Sequence, residues 1–577
     1  MPSRNAESRF AQNPTNIDIS RSKFDRNSTV KTSFNAGLLI PFYYDDVLPG
    51  DTFKVRASKV VRMSTLITPL MDNLWLDTYW FFVPNRLVWD HWKEFMGENT
   101  QSAWLPQTEY TIPLTRSPSA TSQGWSVGTI ADYLGIPTGV PYLYVNSLPL
   151  RAYALIWNEW FRDQNLQDPV PLTKGDAQSN GLNTDPATSS AAQLLSGYYL
   201  GGYPAPVAKY HDYFTSALPA PQKGSDVTIS VTSGGLLPVY AMDTDIPRSS
   251  LPQTNVGARF YRDGDTTNVY NWETTGSGSS GTFSTQQQRA DGSTGGSSPA
   301  ALFPANLYAG DSGSLSVATV NQLRTAFQIQ RFLEKDARGG TRYIEILKSH
   351  FATTSPDYRL QRPEYLGGSR IPIRISQVVQ NSATDSTSPQ GNTAGFSLTT
   401  DVEDSFTKSF TEHGMILGLM CVRYAHSYQQ GCPRPFNRRT RFDYYWPVFA
   451  NIGEQGILNK EIYAQGQQVT DSDGKVIDKQ IFGYQEAWAD YRYKPNQITG
   501  MMRSTYAQSL DSWHLGDYYS TLPSLSAGWI KEDGSIIDRT LAVTSSVSHQ
   551  FIADIYIENT AVRPMPLYSI PGLIDHH

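Results

Sequence analysis

"NLWLDTYWFFVP", residues Asn73–Pro84, is apolar on both of its alternating faces. Leu74, Leu76, Trp80 and Phe82 fall on one alternation, and Trp75, Tyr79 and Phe81 on the other. A strand with one wet face would read apolar, polar, apolar; this pattern predicts a strand buried on both faces. The stretches before it read as half-buried strands. In "VKTSF", Val30, Thr32 and Phe34 alternate with polar residues. In "TFKVRAS", Phe53, Val55 and Ala57 face one way while Lys54, Arg56 and Ser58 face the other. "VLPGD" puts Pro49 and Gly50 at the two central positions of a type II turn.

Working outward, the fold class is mainly β. Aromatic residues are 12% of the 577-residue chain, which favours sheet over helix. Near the other end, "QFIADIYIEN" places Phe551, Ala553, Ile555 and Ile557 inward. "ARFYRDGDTTNVYNW" predicts a hairpin turning at Asp263-Gly264, and "QQVTDSDGKVIDKQIFG" and "WIKEDGSIIDRTLAV" predict two more. Three segments read as helices. "LVWDHWKEFMG" carries Val88, Trp92 and Phe95 on one face and ends at Gly97. "SLPLRAYALIWNEWF" has Ser147 as cap and a stripe of Leu150, Tyr153, Trp157, Trp160 and Phe161. "TVNQLRTAFQIQRFLEKDARGG" has Thr319 and Gln322 in capping-box spacing and Gly339 as its stop.

Between strand-like and helix-like segments lies "TTGSGSSGTFSTQQQRADGSTGGSSP", Thr274–Pro299. So much Gly, Ser and Thr buries too little apolar surface to offset the entropy of ordering it. It is either a linker or a tip reaching into water. Residues 1–29 read as an extended basic arm, and 561–577, "AVRPMPLYSIPGLIDHH", as an extended proline-rich tail.

Charged residues make up only 17% of the chain, which points to surface covered by partners. The net charge of −6 excludes a uniformly basic coat for nucleic acid, but the charge is unevenly placed. The arm carries Arg4, Arg9, Arg21, Lys23 and Arg26, and His413–Phe442 carries five arginines without an acid. Two cysteines, Cys421 and Cys432, are too few for a disulfide scaffold. The opening "MPSRNAESRF" is polar, and no apolar run nears the ~20 residues of a membrane helix. The expectation is a protein folded in a reducing cytoplasm and not embedded in membrane.

Enzyme-like strings fail their context. "GSGSSG" matches the dinucleotide fingerprint but is followed by "TFSTQQQ" rather than an apolar helix. "GDSG" at Gly310–Gly313 lacks recognisable triad partners, and "DSDGK" reads as a hairpin turn rather than a calcium loop. No cofactor, metal or catalytic residue is expected. One constellation fits a chemistry: "PRPFNRRTRFDYYWP" interleaves Arg434, Arg438, Arg439 and Arg441 with Phe436, Phe442, Tyr444, Tyr445 and Trp446. Guanidinium groups neutralise phosphates and aromatic rings stack on unpaired bases. Arginines at subunit interfaces with aromatics in a core give the same string. The arm's cations suit the same nucleic-acid role.

Several blocks together resemble the major capsid proteins of gokushoviruses, single-stranded-DNA phages of the microvirus group. They include "NIDISRSKFDRNSTVKTSFNAGLLIPFYYDDVLPGDTF", "TYWFFVPNRLVWDHWKEFMGEN", "TRFDYYWPVFANIGEQGILNKEIY", "FGYQEAWADYRYKP", "SLDSWHLGDYYSTLP" and "VRPMPLYSIPGLIDH", in the family's order. The resemblance implies a viral jelly roll: a two-sheet antiparallel β-sandwich with long inter-strand insertions and a few short helices. It implies a structural protein, not an enzyme, forming a T=1 icosahedral shell around circular single-stranded DNA. Residues 226–303 would be the insertion that builds a surface protrusion for host attachment, which makes the Gly/Ser stretch a tip. The single jelly-roll domain would span 30–577. Implied partners are further copies of the chain, the DNA genome, phage scaffolding, DNA-pilot and small DNA-binding proteins, and a host cell-surface receptor. The implied location is the virion, assembled in the host cytoplasm. In such a shell the tail's Met565, Leu567, Tyr568 and Leu573 are expected to be buried against this subunit or its neighbour. A secreted β-sandwich glycan hydrolase or lectin is the alternative; particle formation separates the two.

Overall fold

The computed structural model describes residues 20–99, 108–118, 124–227, 259–262, 265–275, 284–289, 302–304, 320–382, 384 and 389–568. The chain divides into two compact units, Met1–Ser225 with Arg331–His577, and Asp226–Gln330.

Nine strands organise the larger unit: β1 (Ser22–Asp25), β2 (Ser28–Phe34), β3 (Ile40–Val47), β4 (Thr52–Met63), β5 (Leu74–Pro84), β6 (Glu364–Pro372), β7 (Thr399–Ser409), β8 (Gly414–Tyr424) and β9 (Phe551–Arg563). One sheet runs β9–β4–β7, with β1 and β2 both pairing the far side of β9; the other runs β6–β5–β8–β3. All these pairings are antiparallel. From β2 onward the chain visits the first sheet, the second, first, second, second, first, second and first. Eight strands alternating this way between two packed sheets form a jelly roll.

Five connections in the sandwich are short, the longest of them 64–73, and three are long: 85–363, 373–398 and 425–550. The β3–β4 turn forms as expected. Gly50 has φ +89°, and the Asp51 N–H donates to the Leu48 carbonyl at 3.0 Å. Only a residue without Cβ adopts that φ cheaply.

Between the sheets, Phe53, Val55 and Ala57 of β4 and Phe551, Ala553, Ile555 and Ile557 of β9 meet Leu76, Trp80 and Phe82 of β5 and Ile416, Met420 and Val422 of β8. A second core covers the outer face of the second sheet. There Phe81 and Val83 of β5 and Met415, Leu417, Leu419 and Cys421 of β8 pack under the helix Leu148–Ile156. The long β5–β6 connection supplies that cover, so β5 is buried on both faces as its sequence predicted. In β8, Gly418 leaves room: a Cβ there would stand 2.9 Å from the Phe42 ring and 3.0 Å from Trp80.

The core holds a buried charge at Lys59, on the inward alternation of β4. Its ammonium donates to Asp404 Oδ2, Thr78 Oγ1 and Ser369 Oγ, each at 3.0 Å, and lies 3.1 Å from Asp401. An irregularity in β7 between Asp401 and Asp404 points both carboxylates at it.

Two local expectations are corrected. "WIKEDGSIIDRTLAV" is no hairpin: it holds a short helix, Ser535–Asp538, just before which Asp533 accepts from the Ser535 N–H at 2.9 Å, and Ile530 and Ile537 are buried. The local Asp–Ser bond competes with strand pairing there. In "LVWDHWKEFMG" only Trp92–Phe95 is α-helical, between an irregular start and Gly97 at φ +100°.

The unit Asp226–Gln330 holds a four-stranded antiparallel sheet in the order Ser284–Arg289, Asp265–Thr275, Arg259–Arg262, Leu302–Pro304. Arg262 pairs with Asp265, and Tyr270–Thr275 with Ser284–Arg289. Part of the Gly/Ser-rich stretch is therefore paired strand; the rest, 276–283 and 290–299, lies outside the described residues.

Candidate nucleic-acid and subunit interface

The arginine-aromatic segment opens the β8–β9 connection. Prolines at 433, 435 and 447 withhold N–H donors and break the segment into three short 3-10 turns, Arg434–Asn437, Arg441–Asp443 and Pro447–Phe449. Asp443 pins the middle turn, accepting from the backbone N–H of Arg439 at 2.8 Å and Thr440 at 2.7 Å. Those two bonds hold its carboxyl below the usual range. A backbone fixed in turns directs its side chains outward. Phe436 is 81% exposed and Val448 88%, and Phe442, Tyr444, Tyr445, Trp446 and Ile452 are also exposed.

The four arginines separate into two kinds. Arg434 is half-buried, donating to Tyr213 Oη and to the Gly456 carbonyl, both at 3.2 Å, beside Glu461. Arg438 pairs with Asp490, donates to the Asp443 carbonyl at 3.0 Å and stacks 4.4 Å over the Tyr491 ring. These two hold the segment together. Arg439 and Arg441 are exposed, and Arg441 lies 4.8 Å over the Phe442 ring.

In the arm, Arg4 and Arg9 lie outside the described residues. Lys23 is 3.3 Å from Asp25, Arg21 donates to the Gly50 carbonyl at 3.0 Å, and Arg26 pairs with Asp45. From Ser22 the chain is strand, paired to the end of β9 with Ser22 opposite Arg563. In the tail, Met565 is exposed, Leu567 is 64% and Tyr568 68% exposed, and Leu573 lies outside the described residues. None of the three is buried against the described residues of its own subunit.

Sequence reading missed two buried charge clusters. Asp77 accepts from Arg370 Nε at 2.7 Å, Arg423 Nε at 3.1 Å and Tyr210 Oη at 2.8 Å. Burial alone would raise its pKa, but these donors hold it below the usual range. Arg370 and Arg423 both stack on Tyr210, beside a cavity of about 620 Å³ that Trp75, Tyr79 and Trp160 help to line. The other cluster centres on His426, between Asp517 at 2.9 Å and Glu532 at 3.1 Å. Burial opposes its charge, yet the two carboxylates push its pKa up to about 10. Asp77 was legible as a lone acid within an apolar strand; His426 had no local signal. Cys421 is buried, which pushes its thiol up to about 12, and both cysteines are free.

These features suit a subunit of a larger assembly, and similarity to known proteins agrees. The family described as capsid protein (F protein) matches residues 11–573. The chain belongs to this phage capsid family. It is 42% identical to capsid protein VP1 of Chlamydia phage 1 over 595 residues, covering 98% of each chain. It is 41% identical to capsid protein VP1 of Bdellovibrio phage phiMH2K, covering 99% of this chain and 98% of the relative. It is also 41% identical to capsid protein VP1 of Spiroplasma virus 4, covering 96% of each. The gokushovirus resemblance read from the sequence blocks is thus borne out, and the hydrolase or lectin alternative falls. The protein is a structural, non-enzymatic component of the virion, built to assemble with copies of itself. Among the described residues no helix is long and apolar enough to cross a membrane.

Proposed function

We propose that copies of this chain close into a T=1 icosahedral shell around a circular single-stranded DNA genome, with residues 226–303 projecting for host attachment. The observation that carries the assembly reading is the run of exposed aromatic and aliphatic side chains from Phe436 to Ile452. Stable monomers rarely expose contiguous apolar patches beyond a few hundred Å². Rigid turns holding such side chains outward suit an interface made when subunits meet. Arg439 and Arg441, together with the arm's Arg4 and Arg9, are the cations assigned to DNA phosphates. Of the tail Val562–Ile574, the part beyond β9, from Pro564 onward, crosses onto a neighbouring subunit, because its own chain leaves Met565, Leu567 and Tyr568 exposed. Scaffolding, DNA-pilot and small DNA-binding proteins of the same phage assist in the host cytoplasm, and a cell-surface receptor meets the projection.

Electron cryomicroscopy of purified particles tests this together with nuclease protection. The expected result is a T=1 shell holding nuclease-resistant circular single-stranded DNA. A chain that stays monomeric beside its phage partners, or shells of another symmetry lacking DNA, would overturn it.

A further inference from the structure

We propose that the tail segment Pro564–Tyr568 of one subunit docks into a tyrosine- and proline-lined groove on the next, joining copies end to end. This rests on the reading that the tail crosses onto a neighbour, and it names the seat. The groove is a cavity of about 390 Å³ between the β8–β9 connection and Tyr213 and Phe214 of the β5–β6 connection. Phe214 and Tyr428 form its buried floor, and Pro435, Tyr491, Tyr493 and Pro495 stand at its mouth. Tyr491 and Tyr493 are exposed there. Such a space takes a few side chains of an extended peptide, not a folded domain.

The occupant is chosen by conformation. "PMPLY" has prolines at 564 and 566, which fix φ near −65° and favour the polyproline II form. Aromatic-lined grooves recognise such segments because the peptide arrives with little entropy left to lose. Leu567 and Tyr568 supply the apolar side chains, and both stand in water in the isolated subunit.

Geometry decides that the docking is between copies. The tail leaves the sandwich where Val562 pairs with Thr52 and Arg563 donates to the Asp46 carbonyl at 2.7 Å. Gly414, the first residue of β8, pairs with Val47 at that same end. The groove is reached from the other end of β8, beyond Tyr424, where Tyr428 enters its floor. The 11 residues of β8 separate the two ends by roughly 33 Å. From Arg563 to Tyr568 the chain reaches at most about 18 Å. Tyr568 therefore cannot enter its own groove. A contact from one end of a subunit to the opposite end of the next is heterologous, the kind that closes into rings.

A cysteine pair tests the seat: Tyr568→Cys with Tyr493→Cys, in full-length chain carrying Cys432→Ser and assembled into particles. Mild oxidation is expected to give dimers and higher ladders on non-reducing gels, absent from either single variant. A parallel arm titrates a fluorescent peptide of residues 560–574 onto unassembled full-length chain. Saturable binding is expected, weakened at least about tenfold by Tyr493→Ala, the loss of one good anchor. Truncation after Arg563, which leaves β9 whole, separates the two readings. If the truncated chain fails to assemble while the cysteine pair gives no ladder and the peptide does not bind, the tail crosses to a neighbour but sits elsewhere. If the truncated chain forms normal shells, both readings fail. Cross-linking confined within single chains would overturn the docking between copies.

Discussion

Lys59 is the residue on which the sandwich interior is most exposed to change. Continuing the alternation of "TFKVRAS" one residue past Ser58 turns Lys59 inward, and it is buried there, so its position follows from the pattern although the strand read from the sequence ended at Ser58. Its partners were not: Asp401 and Asp404 come from a strand more than three hundred residues away, turned inward by an irregularity no local pattern announces. Removing one side of a buried ion network costs about 3–5 kcal/mol, because the other side stays desolvated without compensation. Lys59→Met is expected to lower subunit stability by that amount in urea unfolding, and adding Asp401→Asn and Asp404→Asn to restore part of it. His426 makes a second prediction, on pH. Its pKa rises from an ordinary 6.5 to about 10 on folding, so its contribution is complete below 6.5 and is lost as pH climbs through 10. Its partner Asp517 is held at about 2 against an ordinary 3.8, a contribution present above 3.8 and lost only as pH falls through 2. Between pH 6.5 and 10 the wild-type subunit is therefore expected to lose stability more steeply than His426→Gln. Urea midpoints at pH 6, 8 and 9.5 check this, and parallel slopes would show that His426 is not charged in the fold.

At the scale of elements, β2, β4, β5 and β9 were read with their faces correct, because period-two patterning reports burial directly, while β3, β6, β7 and β8 were not read as strands. The both-face burial of β5 was legible from twelve residues, although the helix that covers its outer face comes from a distant connection. The arginine-aromatic segment was legible as a composition but not as a shape. Sequence reading treated Arg434, Arg438, Arg439 and Arg441 alike. Folding divides them, since Asp490 and Glu461, remote in sequence, take up the first two. Different outcomes follow for their replacement. Arg439→Gln with Arg441→Gln is expected to leave the unfolding midpoint within about 0.5 kcal/mol, as for exposed surface changes. The same pair should reduce packaged DNA and flatten the log–log salt dependence of single-strand binding by about 0.7 for each phosphate no longer neutralised. Arg438→Gln is expected to act in reverse, destabilising the segment by leaving Asp490 buried without its cation. Unchanged DNA content and salt slope in the double variant would make Arg439 and Arg441 interface residues instead.

For the molecule as a whole, the mainly β class was legible in the strand patterning, whereas the jelly roll was implied only by the resemblance to gokushovirus capsid proteins, and the insertions follow no period. The unit Asp226–Gln330 is the clearest case. The larger unit's own segments that flank it in sequence meet each other: the Lys223 N–H donates to the Leu333 carbonyl at 3.4 Å, and Lys223 Nζ reaches the Gly340 carbonyl at 3.5 Å. An insertion whose stems are already adjacent can be removed with little loop-closure cost, since that entropy varies only slowly with loop length. Among the described residues, the cores of the larger unit draw none from 226–330. Replacing Asp226–Gln330 with a short Gly/Ser linker is therefore expected to leave the subunit folded, with its unfolding midpoint near that of the intact chain. If the unit projects from the shell, particles should still form, because the apolar segment Phe436–Ile452 and the tail remain. Attachment to host cells should be lost, because the deletion removes residues 226–303, the segment assigned to the receptor. Negative-stain microscopy and a cell-binding assay on the same preparation read both outcomes. Folded subunits that no longer form shells would assign Asp226–Gln330 to an interface between copies. Particles that still bind cells at the original level would place attachment on the sandwich itself.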